Sequence, residues 1–142
     1  MLIHRDLPSN ARTGFGLLEL VVVSAIMAAL AAVAVPKYAA SLARYRAAAA
    51  AARIKAELSL ARRTAKISGS AQTVDVSDYQ AILSESPYRA VIVSADFGGD
   101  EEVVFDGYGI PDDGGAVTVQ VGTTERTVII DADTGRSMLQ EP

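Results

Sequence analysis

Hydrophobic positions fall into three regimes along this chain. Residues 1–14 are polar, carry Arg5 and Arg12, and show no apolar periodicity. Residues 15–35 are almost unbroken apolar sequence, F-G-L-L-E-L-V-V-V-S-A-I-M-A-A-L-A-A-V-A-V. As a helix rising about 1.5 Å per residue, this run spans about 31 Å, matching a bilayer core about 30 Å thick. A secretory signal has a shorter apolar run, about 7–15 residues, closed by small residues. This one is longer and leads directly into more helix-forming sequence. After Pro36, residues 38–66 are rich in Ala, Arg and Leu, and residues 47–52 are all alanine, which favours helix strongly. Ile54, Leu58, Ala61 and Ala65 recur at i, i+4, i+7 and i+11 and so share one helical face. That face predicts a helix laid on a globular domain with its arginines turned away. Ser68-Gly69-Ser70 is the expected stop.

From residue 69 the pattern changes to short β-type runs separated by turn chemistry. Candidate strands are 73–76, 79–83, 89–94, 102–106, 116–121 and 126–131, with turns at 96–100 (D-F-G-G-D), 106–109 (D-G-Y-G) and 111–115 (P-D-D-G-G). Residues 116–131 read as a hairpin around a four-residue loop, G-T-T-E. The predicted fold class is α+β: a long N-terminal helix, its first half transmembrane, packed on a small, mainly antiparallel β-sheet. The expected division is a leader at 1–14, a membrane span at 15–36, a continuation of the helix at 37–68 and a β-rich domain at 69–142.

Charge is segregated along the chain. Residues 37–66 carry eight basic residues against Glu57 alone, whereas residues 69–142 carry fourteen acids and three arginines, Arg89, Arg126 and Arg136. Blocks of opposite sign imply different surroundings or a charge-matched partner. Cysteine is absent and His4 is the sole histidine. Removal of the first residues would leave neither, and most nucleophilic and zinc constellations would go with them. The Asp pairs leave room only for a carboxylate-only hydrolase, and no nucleophile elbow or phosphate loop accompanies them. The chain is therefore not expected to be an enzyme, and no cofactor or metal is expected. The acids at Asp96, Asp100, Glu101, Glu102, Asp112 and Asp113 lack the ordered alternation of a calcium loop and read as solvated turns.

The junction T-G-F-G-L-L-E-L at 13–20 carries the most specific signal. A carboxylate within a membrane helix costs about 2.5–3.5 kcal/mol on insertion scales, so Glu19 calls for a partner. A cut after Gly14 would supply one. The new α-amino group on Phe15 would lie one helical turn from Glu19, and such amines have an ordinary pKa of about 7.7–8.0. Ammonium and carboxylate can then neutralise each other within one chain or between packed subunits. The plainer alternative for Glu19 is a polar residue near a helix end that reaches the headgroups. Pro36 lacks the N–H that would bond Ala32, so it marks either a kink or the end of the helix at the membrane edge. Ser24 is expected to bond back to a carbonyl one turn earlier.

This junction resembles the class III signal of type IV prepilins and type II secretion pseudopilins: Gly14 then Phe15, an acid at Glu19, a Leu/Val/Ala-rich helix, and Pro36 followed by Lys37-Tyr38. The later segments F-D-G-Y-G-I-P (105–111) and T-G-R (134–136) are similar to the GspH/FimT group of minor pilins and pseudopilins. The resemblance implies a pilin fold, cleavage after Gly14 by a prepilin peptidase, N-methylation of Phe15, and a role for Glu19 in docking the subunit into a filament. Implied partners are other pseudopilins or pilins, the peptidase, inner-membrane lipid and an exported protein. The implied place is a single-pass inner-membrane protein whose C-terminal domain is periplasmic. The flanking charges point the other way, with two basic residues in the leader and five in the first twenty residues after the span. The cleavage-site chemistry is the more specific signal, and the expectation follows it. The expected function is a minor pseudopilin of a type II secretion pseudopilus; the alternative is a FimT-like minor type IV pilin for pilus assembly or DNA uptake. DNA is disfavoured, because Arg126 and Arg136 facing each other across the last strands would be two cations in an acidic field.

Overall fold

The computed structural model describes residues 16–140, which form two compact units divided between Lys37 and Tyr38. Helix α1, Leu17–Ser68, is assigned continuously through Pro36. The proline therefore does not end the helix. The stop falls where the glycine permits it: Gly69 adopts φ +64°, and its N–H donates to the Ala65 carbonyl at 2.9 Å, a left-handed cap open to a residue without Cβ.

In the first unit, every residue from Leu17 to Lys37 is exposed. In the second, α1 buries a stripe of Ala47, Ala50, Ala51, Ile54, Leu58 and Ala65, with Ala61 packed against its edge. The stripe begins a full two turns before Ile54, where the sequence pattern placed its start. The alanines are core residues as well as helix formers. Val74, Val76, Leu83, Ala90, Phe97, Val103, Phe105, Val117, Val119, Val121, Val128 and Ile130 complete one hydrophobic cluster with this stripe.

Strands β1 (Gln72–Asp75) and β3 (Glu102–Phe105) pair antiparallel as a small sheet of their own. Strands β2 (Val91–Phe97), β4 (Gly115–Val121), β5 (Thr124–Ile130) and β6 (Ser137–Leu139) form a second antiparallel sheet in the order β2-β4-β5-β6. The architecture is α+β as expected, with two sheets in place of one. On β4, Val117, Val119 and Val121 are buried in strict alternation, the period of a strand with one face on a core.

Three local expectations are corrected. Residues 79–83 are not a strand: a 3-10 turn (Ser77–Tyr79) leads into the short helix α2 (Gln80–Ser84). Tyr79 and Leu83 both face the core, a spacing of four that suits a helix and not the alternation of a strand. From α2, Gln80 Oε1 accepts the Ile92 N–H at 2.8 Å and covers part of the β2 edge. The β4–β5 loop has two residues, since Val121 pairs with Thr124. Gly122 takes φ +61° at the first loop position, which favours the tighter turn. Strand β6 was not anticipated; at three residues it carries almost no periodicity.

Truncating Leu58, fully buried beneath the sheets, should lower stability by about 2–5 kcal/mol. Chemical denaturation of Leu58→Ala against the parent chain would measure it, and the same change at exposed Leu60 should cost far less.

Candidate functional site

Of the residues singled out at the cleavage junction, Gly14 and Phe15 lie outside the described residues. Glu19 stands in the first turn of α1, where its N–H donates to the Gly16 carbonyl at 3.0 Å, and it is exposed. Ser24 Oγ donates to the Leu20 carbonyl at 2.8 Å, the back-bond expected of it. Around them Leu17, Leu18, Leu20, Val21, Val22, Val23, Ile26, Met27, Leu30, Val33 and Val35 are all exposed. Covering such side chains is worth about 1.5–3 kcal/mol each. That sum far exceeds the insertion cost of one carboxylate. This helix is long and apolar enough to cross a membrane.

The second unit brings together segments distant in sequence. Turns 106–109 and 131–135 are built alike. Asp106 Oδ1 accepts the N–H groups of Tyr108 and Ile110, and Asp131 Oδ1 accepts the Thr134 N–H and hydroxyl. Each turn closes on a left-handed glycine, Gly109 at φ +72° and Gly135 at φ +64°. A Cβ on Gly109 would strike the Arg62 and Lys66 stems, and one on Gly135 would meet the Gly109 carbonyl at 2.5 Å. The two turns therefore stack on each other against the end of α1. Arg62 Nε donates to the Gly109 carbonyl at 3.2 Å and locks the stack. Next to it, Ser59 and Ser137 share a hydrogen bond at 2.9 Å, and Ser137 Oγ reaches the Lys55 carbonyl at 3.3 Å, which ties β6 to the helix.

A groove of about 280 Å³ opens here, lined by Ser59, Arg62, Arg63, Gly135, Arg136, Ser137 and Met138. It meets a second, of about 420 Å³, along Ala52, Lys55, Ala56, Ser59, Leu60 and Arg63. Two charge expectations change as a result. Arg62 is not turned away from the domain; it is half-buried and bonded. Arg126 and Arg136 do not face each other. Arg126 pairs with Val119 near the start of β5, while the Arg136 carbonyl accepts the Asp131 N–H beyond its end. Five residues of strand, about 17 Å, separate them. Arg136 instead joins Arg62 and Arg63 of the helix, a grouping that only the tertiary fold creates.

The single ion pair among the described residues, Arg53–Glu57, lies within α1. Tyr79 packs nearby, and burial, then the Glu57 charge, pushes its phenol above its ordinary value. The acidic turns have structural employment: Asp96 Oδ1 accepts the Gly99 N–H, and Asp112 Oδ1 accepts those of Val104 and Asp113. Among the described residues no three His, Cys, Asp or Glu side chains converge as a metal-binding group.

No family model, curated protein or solved structure matches this chain. Its class is defined by its own features: an α+β protein whose N-terminal helix is long and apolar enough to cross a membrane and whose helix continues onto a small antiparallel β domain.

Two substitutions test the stacked turns. Gly135→Ala forces a left-handed residue and a clash on one turn, and should cost at least about 1–2 kcal/mol in denaturation. Asp131 is held below its ordinary value first by the Thr134 hydroxyl, then by the Thr134 N–H. Its ionised form thus stabilises the turn above the usual carboxylate range, and that contribution is lost as pH falls through the lowered value. Thr134→Val should move the Asp131 titration, followed by NMR, back up toward its ordinary value.

Proposed function

We propose that this chain is a minor pseudopilin: a subunit held in the inner membrane by its N-terminal helix, cut after Gly14 by a prepilin peptidase, and built into the periplasmic pseudopilus of a type II secretion system. The observation that carries this reading is the apolar length of α1 exposed on all its faces, with one carboxylate, Glu19, in its first turn. A helix apolar all round is covered either by lipid or by other helices. A subunit that moves from bilayer to filament uses both covers in turn. Glu19 suits that exchange, because a charge costly in lipid is relieved by the Phe15 ammonium of a neighbour. The packed β domain supplies a folded body that remains outside the membrane.

A clean gene deletion separates this reading from the FimT-like alternative. Exported proteins should accumulate in the periplasm while surface pili persist, and complementation with Glu19→Ala should fail to restore secretion despite normal membrane levels. Normal secretion with loss of pili, twitching or DNA uptake would replace the reading with a type IV minor pilin. The topology has its own check. Alkaline phosphatase fused after Gln140 should be active, and an inactive fusion would place the β domain in the cytoplasm, as the flanking charges alone suggest.

A further inference from the structure

Opposite charges gather at two separate places on the β domain and the helix end beside it. At the β6 edge, Lys55, Arg62, Arg63 and Arg136 surround the groove between β6 and α1. Two acids border it, Asp106 and Asp131, and both spend a carboxylate oxygen on their own turns. Asp131 also offsets part of the Arg136 charge. At the other place, Asp96 near the end of β2, Asp100 and Glu101 in the connection that follows and Glu102 at the start of β3 are exposed, and Asp96 spends one carboxylate oxygen on the Gly99 N–H. A Cβ on Gly98 would collide with the Asp113 carboxylate, so the 112–113 turn adds to the same surface. Across the β1–β3 ladder Asp75 stands directly opposite Glu102, an arrangement of like charges that destabilises a sheet. No basic side chain forms an ion pair with any of these acids among the described residues.

Three strand spacings, about 14 Å, separate β2 from β6, and no ion pair joins the two groups within one copy among the described residues. A second copy can join them. We propose that the groove between β6 and α1 receives the acidic 96–102 turn of a second copy of this chain, edge to edge. The sheet geometry supports an extended approach. Met138 pairs with Ile129 on β5, while the backbones of Ser137 and Leu139 alternate toward the other side. The contact joins two different patches, so it is heterologous. It deepens the filament-subunit reading, on which it rests, by naming a partner and a surface outside the membrane helix.

The absence of cysteine makes the test direct. Full-length chains carrying Met138→Cys and Glu101→Cys, co-expressed in one membrane and oxidised, should give a mixed disulfide dimer. Thr123→Cys, on the exposed β4–β5 turn, should not give one with either. Arg63→Glu with Arg136→Glu on the groove copy should abolish the product; both side chains are exposed, and Arg62, which holds the fold together, is left in place. Asp100→Lys with Asp113→Lys on the other copy should restore it, and high salt should weaken it. Cross-linking that ignores charge reversal, or that Thr123→Cys matches, overturns the proposal. So does a fluorescent oligonucleotide that binds the same arginines in the absence of any cross-link, which would make the groove a nucleic-acid site. If cross-links fail while cleavage after Gly14 and secretion remain intact, the docking surface is wrong and the subunit reading stands.

Discussion

Along Leu17–Val35, helix α1 is apolar and exposed on all its faces, and what it is and does follows from that. From Leu17 to Val35 the side chains are greasy on all sides and none is buried. Water cannot be their environment at equilibrium, since each large side chain left exposed forgoes about 1.5–3 kcal/mol. The helix is long and apolar enough for a bilayer to cover them. Glu19 is the single ionisable residue from Leu17 to Val35, and a carboxylate at such a place is costly in lipid.

The same helix has a second task beyond Tyr38. Its alanines and Ile54, Leu58 and Ala65 form one side of the core, and the β domain the other. The turns that finish the domain are shaped to the helix end. Gly109 and Gly135 leave room for the stems of Arg62 and Lys66. A larger residue in either turn would push the arginine away and open the edge where β6 is tied down through Ser59 and Ser137. The basic groove is therefore built from the same packing that finishes this domain.

Long-period features were legible in the sequence and short ones were not. The apolar run, the α+β class, the stop at Gly69 and most strands follow from periodicities sustained over many residues. Residues 79–83 misled because five residues hold too little pattern to tell period two from period four, and the packing of Tyr79 and Leu83 decided between them. The hairpin loop came out two residues shorter because cross-strand pairing through Thr124 and Glu125 outweighs their turn-like composition. Glu19 and Pro36 stand out in the sequence because their setting is unusual within an apolar run. The grouping of Arg136 with Arg62 and Arg63 does not, because it arises from stacking two turns more than twenty residues apart onto a helix. A glycine closing each Asp-initiated turn was the one signal that pointed to it.

Whether this helix is a processed filament anchor, as proposed, is read from the N-terminus of the mature chain. Intact mass and N-terminal sequencing after co-expression with a prepilin peptidase should show loss of residues 1–14 and one methyl group on the amine of Phe15. A chain that keeps Met1 in the presence of active peptidase, or that is cut at small residues beyond the apolar run, would contradict the account.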